Sequence, residues 1–309
     1  MIVCASLNPS LDKSASLSHF FYDRPNRIAV ERLDVGGKGI NAARLLKELG
    51  GNCLLIGFDY TGAPIRAALE KKGIACRLVP IDGELRVNLK LKEIGTGRTI
   101  EISEGGAPVA PRQLEEAEAL LLGCCAPGDW AVLCGSLPPG TGAETYGRLC
   151  GALKKKGCHV AVDCDGPALA AAAAAGPDLI KPNAQEFQAL TGVSAGDTPA
   201  ALAACRALHS RGVSAVCLSR GAEGALLSLP GEAWLASAAP VTPQGVQGAG
   251  DSLLGGLILA LNRGDAPPDA LRYASAAAGA SVMRPGTLLA KRADAEALLP
   301  RVRVERFCF

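Results

Sequence analysis

The order of its apolar runs limits the fold of this chain more than any other feature. Short strand-like runs cover Ile2–Leu7, Cys53–Phe58, Trp130–Cys134, Val160–Cys164, Leu179–Lys181 and Val216–Ser219. Between them, helical periodicity covers Ile40–Leu49, Pro64–Lys72, Pro111–Leu122, Ala143–Lys156, Gln185–Thr191 and Pro199–Arg211. Strand–helix alternation predicts an α/β fold in which helices cover both faces of a mainly parallel central sheet. Such sheets bind ligands beyond the carboxyl ends of their strands. Polar or glycine-rich motifs that follow strands or open helices are therefore the candidates for chemistry.

Two stretches break the alternation, about 11–35 and 85–103. In the second, "RVNLKLK" alternates strictly, with Arg86, Asn88, Lys90 and Lys92 pointing one way and Val87, Leu89 and Leu91 the other. "GTG" at Gly95–Gly97 supplies a turn and "RTIEIS" alternates again, which predicts a hairpin with one polar face. Both stretches are expected to form a small β-sheet lid on a single domain that spans residues 1–309.

A chain of 309 residues can bury a large core, and its 49% hydrophobic and 20% charged content suits an ordinary globule. A net charge of +2 gives no whole-protein reason to expect nucleic acid or an anionic membrane as partner. No apolar run reaches the ~20 residues needed to span a bilayer. "MIVCASLNPSLDKS" lacks the basic and apolar regions of a secretion signal. Of the twelve cysteines, Cys4, Cys53, Cys134, Cys164 and Cys217 lie in strand-like runs, where a thiol acts as a small hydrophobe. With no C-x-x-C pair and three histidines, a zinc site is not expected, and a reducing cytoplasmic setting is.

"QGVQGAGDSLLGGLILAL" concentrates the chemistry. Gly248, Ala249 and Gly250 lead into Asp251, and Leu253, Leu254, Leu257, Ile258 and Leu261 then recur at helical spacing. Small residues before a helix let a ligand approach the first N–H groups, which lack internal partners, and so make an anion site. Asp251 there is either an N-cap or a functional carboxylate. "VGGKGINAARLLKELG" also opens onto a helix. It is not a Walker A loop, because Gly39 follows Lys38, nor is it the G-x-G-x-x-G dinucleotide fingerprint. A cation between glycines at a helix start suits an anionic or hydroxyl-rich ligand, against the plainer reading of a solvated lysine on a flexible connection. The other motifs have ordinary readings when taken singly. Asp12 in "NPSLD" suits a turn, Asn183 in "KPNAQEF" could cap the helix that holds Glu186, and "SRGAEGALL" could be a plain hairpin. "CGSLPPG" is a strand-end turn. Together they fall at strand ends along one sheet, beside a hairpin that carries Arg86 and Lys90.

"GGKGIN", "GSLP", "KPNAQE", "GAEGA" and "GAGDSLLGG", in this order, resemble the ribokinase-like (phosphofructokinase B-type) carbohydrate kinases, and the likeness runs from "LNPSLD" to the C-terminal helices. "NPSLD" at Asn8–Asp12 and the Arg-x-Asn-x-Lys strand at Arg86–Lys90 are similar to the branch that phosphorylates sugar phosphates. The resemblance implies a three-layer ribokinase-like fold and transfer of the γ-phosphoryl group of ATP, with Mg²⁺, to a sugar hydroxyl. Conversion of fructose 1-phosphate to fructose 1,6-bisphosphate is the expected reaction. Tagatose 6-phosphate, a neutral sugar or a nucleoside are the alternative substrates, and a non-catalytic sugar-phosphate sensor is the alternative from another class.

By the same resemblance Asp251 is the base, ionised at its helix N-terminus, and the N–H groups around Gly248, Ala249 and Gly250 face the phosphoryl oxygens. Asp12 would bind sugar hydroxyls, while Gly37, Lys38, Gly39 and Asn41 would line the sugar-phosphate site. Arg86 and Lys90, with Asn88 between them, would hold the phosphate already on the substrate. Asn183 and Glu186 would organise Mg²⁺ through waters. Lys181, Asn183, Ser219, Gly221, Ala222, Glu223, Gly224 and Gly250 would meet the nucleotide, whose adenine would lie near Ala276–Ser281. A homodimer through the lid is implied as well. Gln247 and Arg220 depart from the family pattern, and Arg220 is expected either to add a phosphate contact or to sit in solvent.

Overall fold

The computed structural model describes residues 1–245, 247–284 and 288–308; Val246, within the "QGVQGAGD" motif, lies outside them. The elements run β1 (Ile2–Ser6), β2 (Ser10–Leu17), β3 (Ala29–Gly36), α1 (Lys38–Glu48), β4 (Cys53–Tyr60), α2 (Ile65–Lys71), β5 (Ala75–Ile81), β6 (Val87–Glu93), β7 (Thr99–Ser103), α3 (Pro111–Cys124), β8 (Trp130–Cys134) and α4 (Thr145–Lys155). They continue with β9 (His159–Asp163), α5 (Gly166–Ala174), β10 (Leu179–Ile180), α6 (Ala184–Thr191), α7 (Thr198–Ser210), β11 (Val216–Ser219), β12 (Ala225–Leu229), β13 (Glu232–Ala236), α8 (Ala249–Asn262), α9 (Pro267–Val282), α10 (Arg292–Leu298) and β14 (Val304–Cys308).

Ten strands form one sheet in the order β14-β13-β12-β11-β10-β9-β8-β1-β4-β5. It is parallel from β11 to β5 and antiparallel from β11 to β14. Central strands such as β1, β8 and β9 are continuous apolar runs because both of their faces are covered. Helices α1, α8, α9 and α10 pack together on one face, and α3, α4, α5 and α6 on the other. The cysteines among the described residues are free thiols, most of them buried.

The strands absent from the apolar pattern lie mostly towards the sheet's edges. β5 carries Arg77 and Pro80, and an edge position tolerates the N–H that proline lacks. β14, at the other edge, carries Glu305 and Arg306 at its centre.

The two irregular stretches do form a separate four-stranded sheet, in the order β3-β2-β6-β7. β6 and β7 are the antiparallel hairpin expected from the alternation. The parallel pairing of β2 with β6 joins segments far apart in sequence and left no local trace. Register sorts the side chains by face. Asp12, Ser14, Asp34, Arg32, Asn88, Lys90 and Glu101 share one face. On the other face Ala15, Leu17 and Leu91 are buried with Phe20, Ile28, Leu89 and Ile100, while Val30, Leu33 and Ile102 stay exposed.

Candidate active site

α8 begins at Ala249, so Asp251 is not its cap. The N-cap is Gly248, whose φ of 72° is a left-handed conformation that glycine adopts without strain. Asp251 stands in the first helical turn and aims its carboxylate across to α1, where Oδ2 accepts a hydrogen bond from Asn41 Nδ2 at 2.8 Å. Asn41 Oδ1 is buried and has no partner among the described residues, an orphaned acceptor beside the carboxylate. Burial first, and then the Asp163 carboxylate, raise the Asp251 pKa above the ordinary aspartate value, against the pull of Asn41, Lys38 and Lys181. The helix N-terminus favours a charged Asp251, and burial and the Asp163 charge act against it.

Lys38 does not reach into the small sheet. Its Nζ lies 2.9 Å from Asp163 Oδ1 and 3.2 Å from Glu186 Oε1. Asp163 Oδ2 is 3.0 Å from Lys181 Nζ, so one buried carboxylate holds two lysines. Burial alone would lower both ammonium pKa values, but Asp163 overrides it and raises them, with Glu186 assisting. Asp163 is itself held low: burial works to raise its pKa, and Lys181 and Lys38 outweigh burial. The sequence reading passed over Asp163. Its signal was a carboxylate ending the apolar run "VAVD", at the carboxyl end of a parallel strand.

Lys38, Asp163, Lys181, Asn183, Gly250 and Asp251 line one cavity of about 940 Å³ together with Ser219, Gly221, Ala222, Gly224 and Ala249. Val241 and, from α9 where an adenine was expected, Ala278, Gly279 and Val282 add apolar lining. Its size, apolar lining and two ammonium groups fit a nucleoside triphosphate. Glu223 is not among the lining residues; it points outward and pairs with Arg220. Arg220 does not sit in solvent: its side chain is 9% exposed, and its guanidinium also donates to Thr198 Oγ1 and ties the turn to the start of α7.

Asn183 does cap α6. Its side chain accepts from Glu186 N at 2.9 Å, while Glu186 Oε2 accepts from Asn183 N at 2.8 Å, a complete capping box. Among the described residues no three His, Cys, Asp or Glu side chains are grouped to hold a metal. With no such cluster, Mg²⁺ fits here as an ion that takes most of its ligands from water and phosphate.

The second cluster is the polar face of the small sheet. Asp12 is buried, accepts from Ser10 Oγ at 2.9 Å and Asn88 Nδ2 at 3.0 Å, and pairs with Lys90 Nζ at 3.2 Å. Gly36 permits this, because a Cβ there would lie 2.5 Å from Asp12 Oδ2. Gly37 is the N-cap of α1, and Gly39 lets α1 lie against β1, where a Cβ would meet Ala5 O at 2.4 Å. Arg86 is largely committed as a brace. Nε donates to Asn8 O and Pro9 O, Nη1 to Asn88 Oδ1 and Glu104 O, and Nη2 to Asn8 O, which leaves one Nη2 N–H for a ligand. Asn8 in turn donates to Gly105 O and Ser136 Oγ, joining the "NPSLD" and "GSLP" turns. Gln247 donates to Glu101 Oε1 at 3.4 Å, so the loop before α8 touches the small sheet.

Comparison with known proteins agrees with this geometry. Residues 8–293 match the model of the pfkB family carbohydrate kinases. The chain is 37% identical over 281 residues to a 1-phosphofructokinase of Rhodobacter capsulatus, covering 89% of this chain and 88% of that one. It is 30% identical to the ATP-dependent 6-phosphofructokinase isozyme 2 of Mycobacterium tuberculosis, over 96% and 88% of the two chains. Among solved structures, phosphofructokinase-2 from Escherichia coli in complex with substrates and products superposes with a TM-score of 0.91 at 28% identity, over 97% and 98% of the chains. An Arabidopsis thaliana ribokinase, at 21% identity and a TM-score of 0.75, shares the fold, which is ribokinase-like. The chain belongs to the pfkB family of carbohydrate kinases, phosphotransferases whose acceptor is an alcohol.

Proposed function

We propose that this kinase transfers the γ-phosphoryl group of ATP to a hydroxyl of a hexose phosphate, fructose 1-phosphate becoming fructose 1,6-bisphosphate. One observation carries the reading: the Asp251–Asn41 pair opens onto the triphosphate-sized cavity, and Gln247 in the loop just before α8 touches the sheet whose polar face holds Asp12 and Lys90. The similarity to 1-phosphofructokinases supports the choice of substrate.

Phosphoryl transfer needs positioning and charge neutralisation more than covalent help. Asp251 takes the hydroxyl proton as the oxygen attacks phosphorus, and a carboxylate whose pKa is raised is a stronger proton acceptor than an ordinary one. Asn41 orients it from one side, and its unpartnered Oδ1 is an acceptor suited to a second sugar hydroxyl. The N–H groups of Ala249 and Gly250, at a helix start, face the charge that develops on the transferring group. Lys38 and Lys181 bring fixed positive charge to the same place. Mg²⁺, when bound with the nucleotide, supplies further charge neutralisation, and Asn183 and Glu186 would hold its waters. Asp12 binds sugar hydroxyls, Lys90 meets the substrate phosphate, and the small sheet acts as a lid that limits wasteful hydrolysis. The whole chain works as one kinase unit. A homodimer through the apolar face of the lid is part of the proposal, as is a cytoplasmic setting. Among the described residues no helix is long and apolar enough to cross a membrane.

Asp251→Asn tests the chemistry. It is expected to lower turnover by roughly 10²–10⁴-fold, the usual contribution of general-base catalysis, while calorimetry still detects binding of the sugar phosphate. Turnover within a factor of two of the parent contradicts the assignment.

A further inference from the structure

We propose that Arg32 is a second cation that grips the phosphate the sugar already carries, acting with Lys90 on either side of Ser14. The inference rests on the hexose-phosphate reading above and extends it to a residue that no sequence motif marks.

Register supplies the geometry. Arg32 pairs with Ser14, Ser14 with Lys90, and Lys90 with Glu101, so the four form one row across β3, β2, β6 and β7 and share a face. That face looks into the cleft, because Glu101 at the end of the row accepts from Gln247, four residues before Asp251. Neighbouring strands lie ~4.8 Å apart, which puts the backbones of Arg32 and Lys90 about 10 Å apart with the Ser14 hydroxyl midway. Both side chains are long enough to converge on one phosphate above it.

Chemistry favours Arg32 over the more obvious Arg86. Arg86 has one N–H uncommitted, which a bidentate phosphate contact cannot use. Arg32 is held differently. Asp34 takes the side edge of its guanidinium, through Nε and through Nη2 at 2.9 Å, and among the described residues Nη1 and the second Nη2 N–H, which form the fork, have no hydrogen-bond partner. The side chain is 34% exposed, enough for a ligand to reach, and Asp34 fixes its plane. The pairing of β2 and β3 shifts register between Ser14 and Ala15, directly beside Arg32. Bulges of this kind re-aim side chains and are over-represented next to active sites. A third cation, Arg44, lies close by: burial lowers its pKa, Asp34 opposes the shift and Arg32 adds to it. An arriving phosphate dianion would relieve that repulsion.

The test compares wild type, Arg32→Gln and Arg32→Lys in an ATP-coupled assay with fructose 1-phosphate, tagatose 6-phosphate and fructose, with thermal unfolding measured in parallel. In Arg32→Gln the KM for the sugar phosphate is expected to rise at least tenfold while the KM for ATP moves less than twofold. Arg32→Lys should recover part of the loss. Inorganic phosphate, tested as a competitor of the sugar phosphate, should inhibit the glutamine variant several-fold more weakly than wild type. An unchanged KM for the sugar phosphate in Arg32→Gln overturns the Arg32 assignment and leaves the hexose-phosphate reading intact. A KM for ATP that rises in step with that for the sugar, together with a lower melting temperature, overturns it too, because Arg32 would then merely brace Asp34. A wild type active on fructose and on no sugar phosphate rejects both readings.

Discussion

Two aspartates that line one cavity feel opposite electrostatics, and this gives each a distinct mutational signature. Asp163 sits between Lys38 and Lys181, and its pKa is depressed although burial opposes the shift. A depressed carboxylate contributes stability above its unfolded pKa and loses it as pH falls through the folded value. Asp163→Asn would leave two lysines without their shared counter-charge, one of them, Lys181, almost fully buried. Removing one partner of a buried ion pair costs about 3–5 kcal/mol, so the melting temperature at pH 7 should fall by many degrees. A change of less than two degrees contradicts that role. Asp251 is the reverse case, since burial and the Asp163 charge raise its pKa. A carboxyl with a raised folded pKa is stabilising while protonated, below the unfolded pKa, and that contribution disappears as pH rises through the folded value. Asparagine mimics the protonated form. The inactive Asp251→Asn protein should therefore melt at or above the parent temperature at pH 7, and the acid limb of the parent kcat–pH profile should lie above the ~3.9 of an unperturbed aspartate.

At the scale of elements, the small sheet has two faces with different work to do. Its polar face holds Asp12, Asn88 and Lys90, while its other face leaves Val30, Leu33 and Ile102 about half exposed around a small buried cluster. Exposed apolar side chains grouped on one face mark a contact surface, and a second copy of the chain is the proposed partner. Leu33→Asp should shift the protein to monomer in sedimentation velocity, and wild type sedimenting as a monomer at micromolar concentration would reject the dimer. The β6/β7 hairpin was legible because strict alternation over Arg86–Lys92 has no helical reading. The stretch holding β2 and β3 was expected to join the small sheet, but its strand bounds and the parallel β2–β6 pairing were not legible, since that pairing is non-local. The start of α8 was legible from "GAGD", yet whether Asp251 capped the helix or worked beside it depended on Gly248 taking the left-handed turn.

Across the whole molecule, the parallel sheet, its two helical layers and the gathering of motifs at strand ends follow from periodicity and from glycine placement. Asp163 and Arg32 escaped notice for a common reason: each acquires its chemistry from partners distant in sequence or across a strand register, and neither sits in a glycine-rich motif. Arg86 shows the converse. Its place in a basic strand suggested a phosphate anchor, whereas its donors mostly hold main-chain carbonyls. In the proposed reading, the preference for a phosphorylated sugar resides in how the charges of the small sheet face Asp251, a property of the assembled cleft. The most direct measurement is ADP release by the purified protein, with ATP and Mg²⁺, on fructose 1-phosphate beside fructose, ribose and adenosine. Turnover with fructose 1-phosphate, and a kcat/KM at least a hundredfold lower for each unphosphorylated compound, is the expected result; efficient turnover of any of those three with none on fructose 1-phosphate would contradict it.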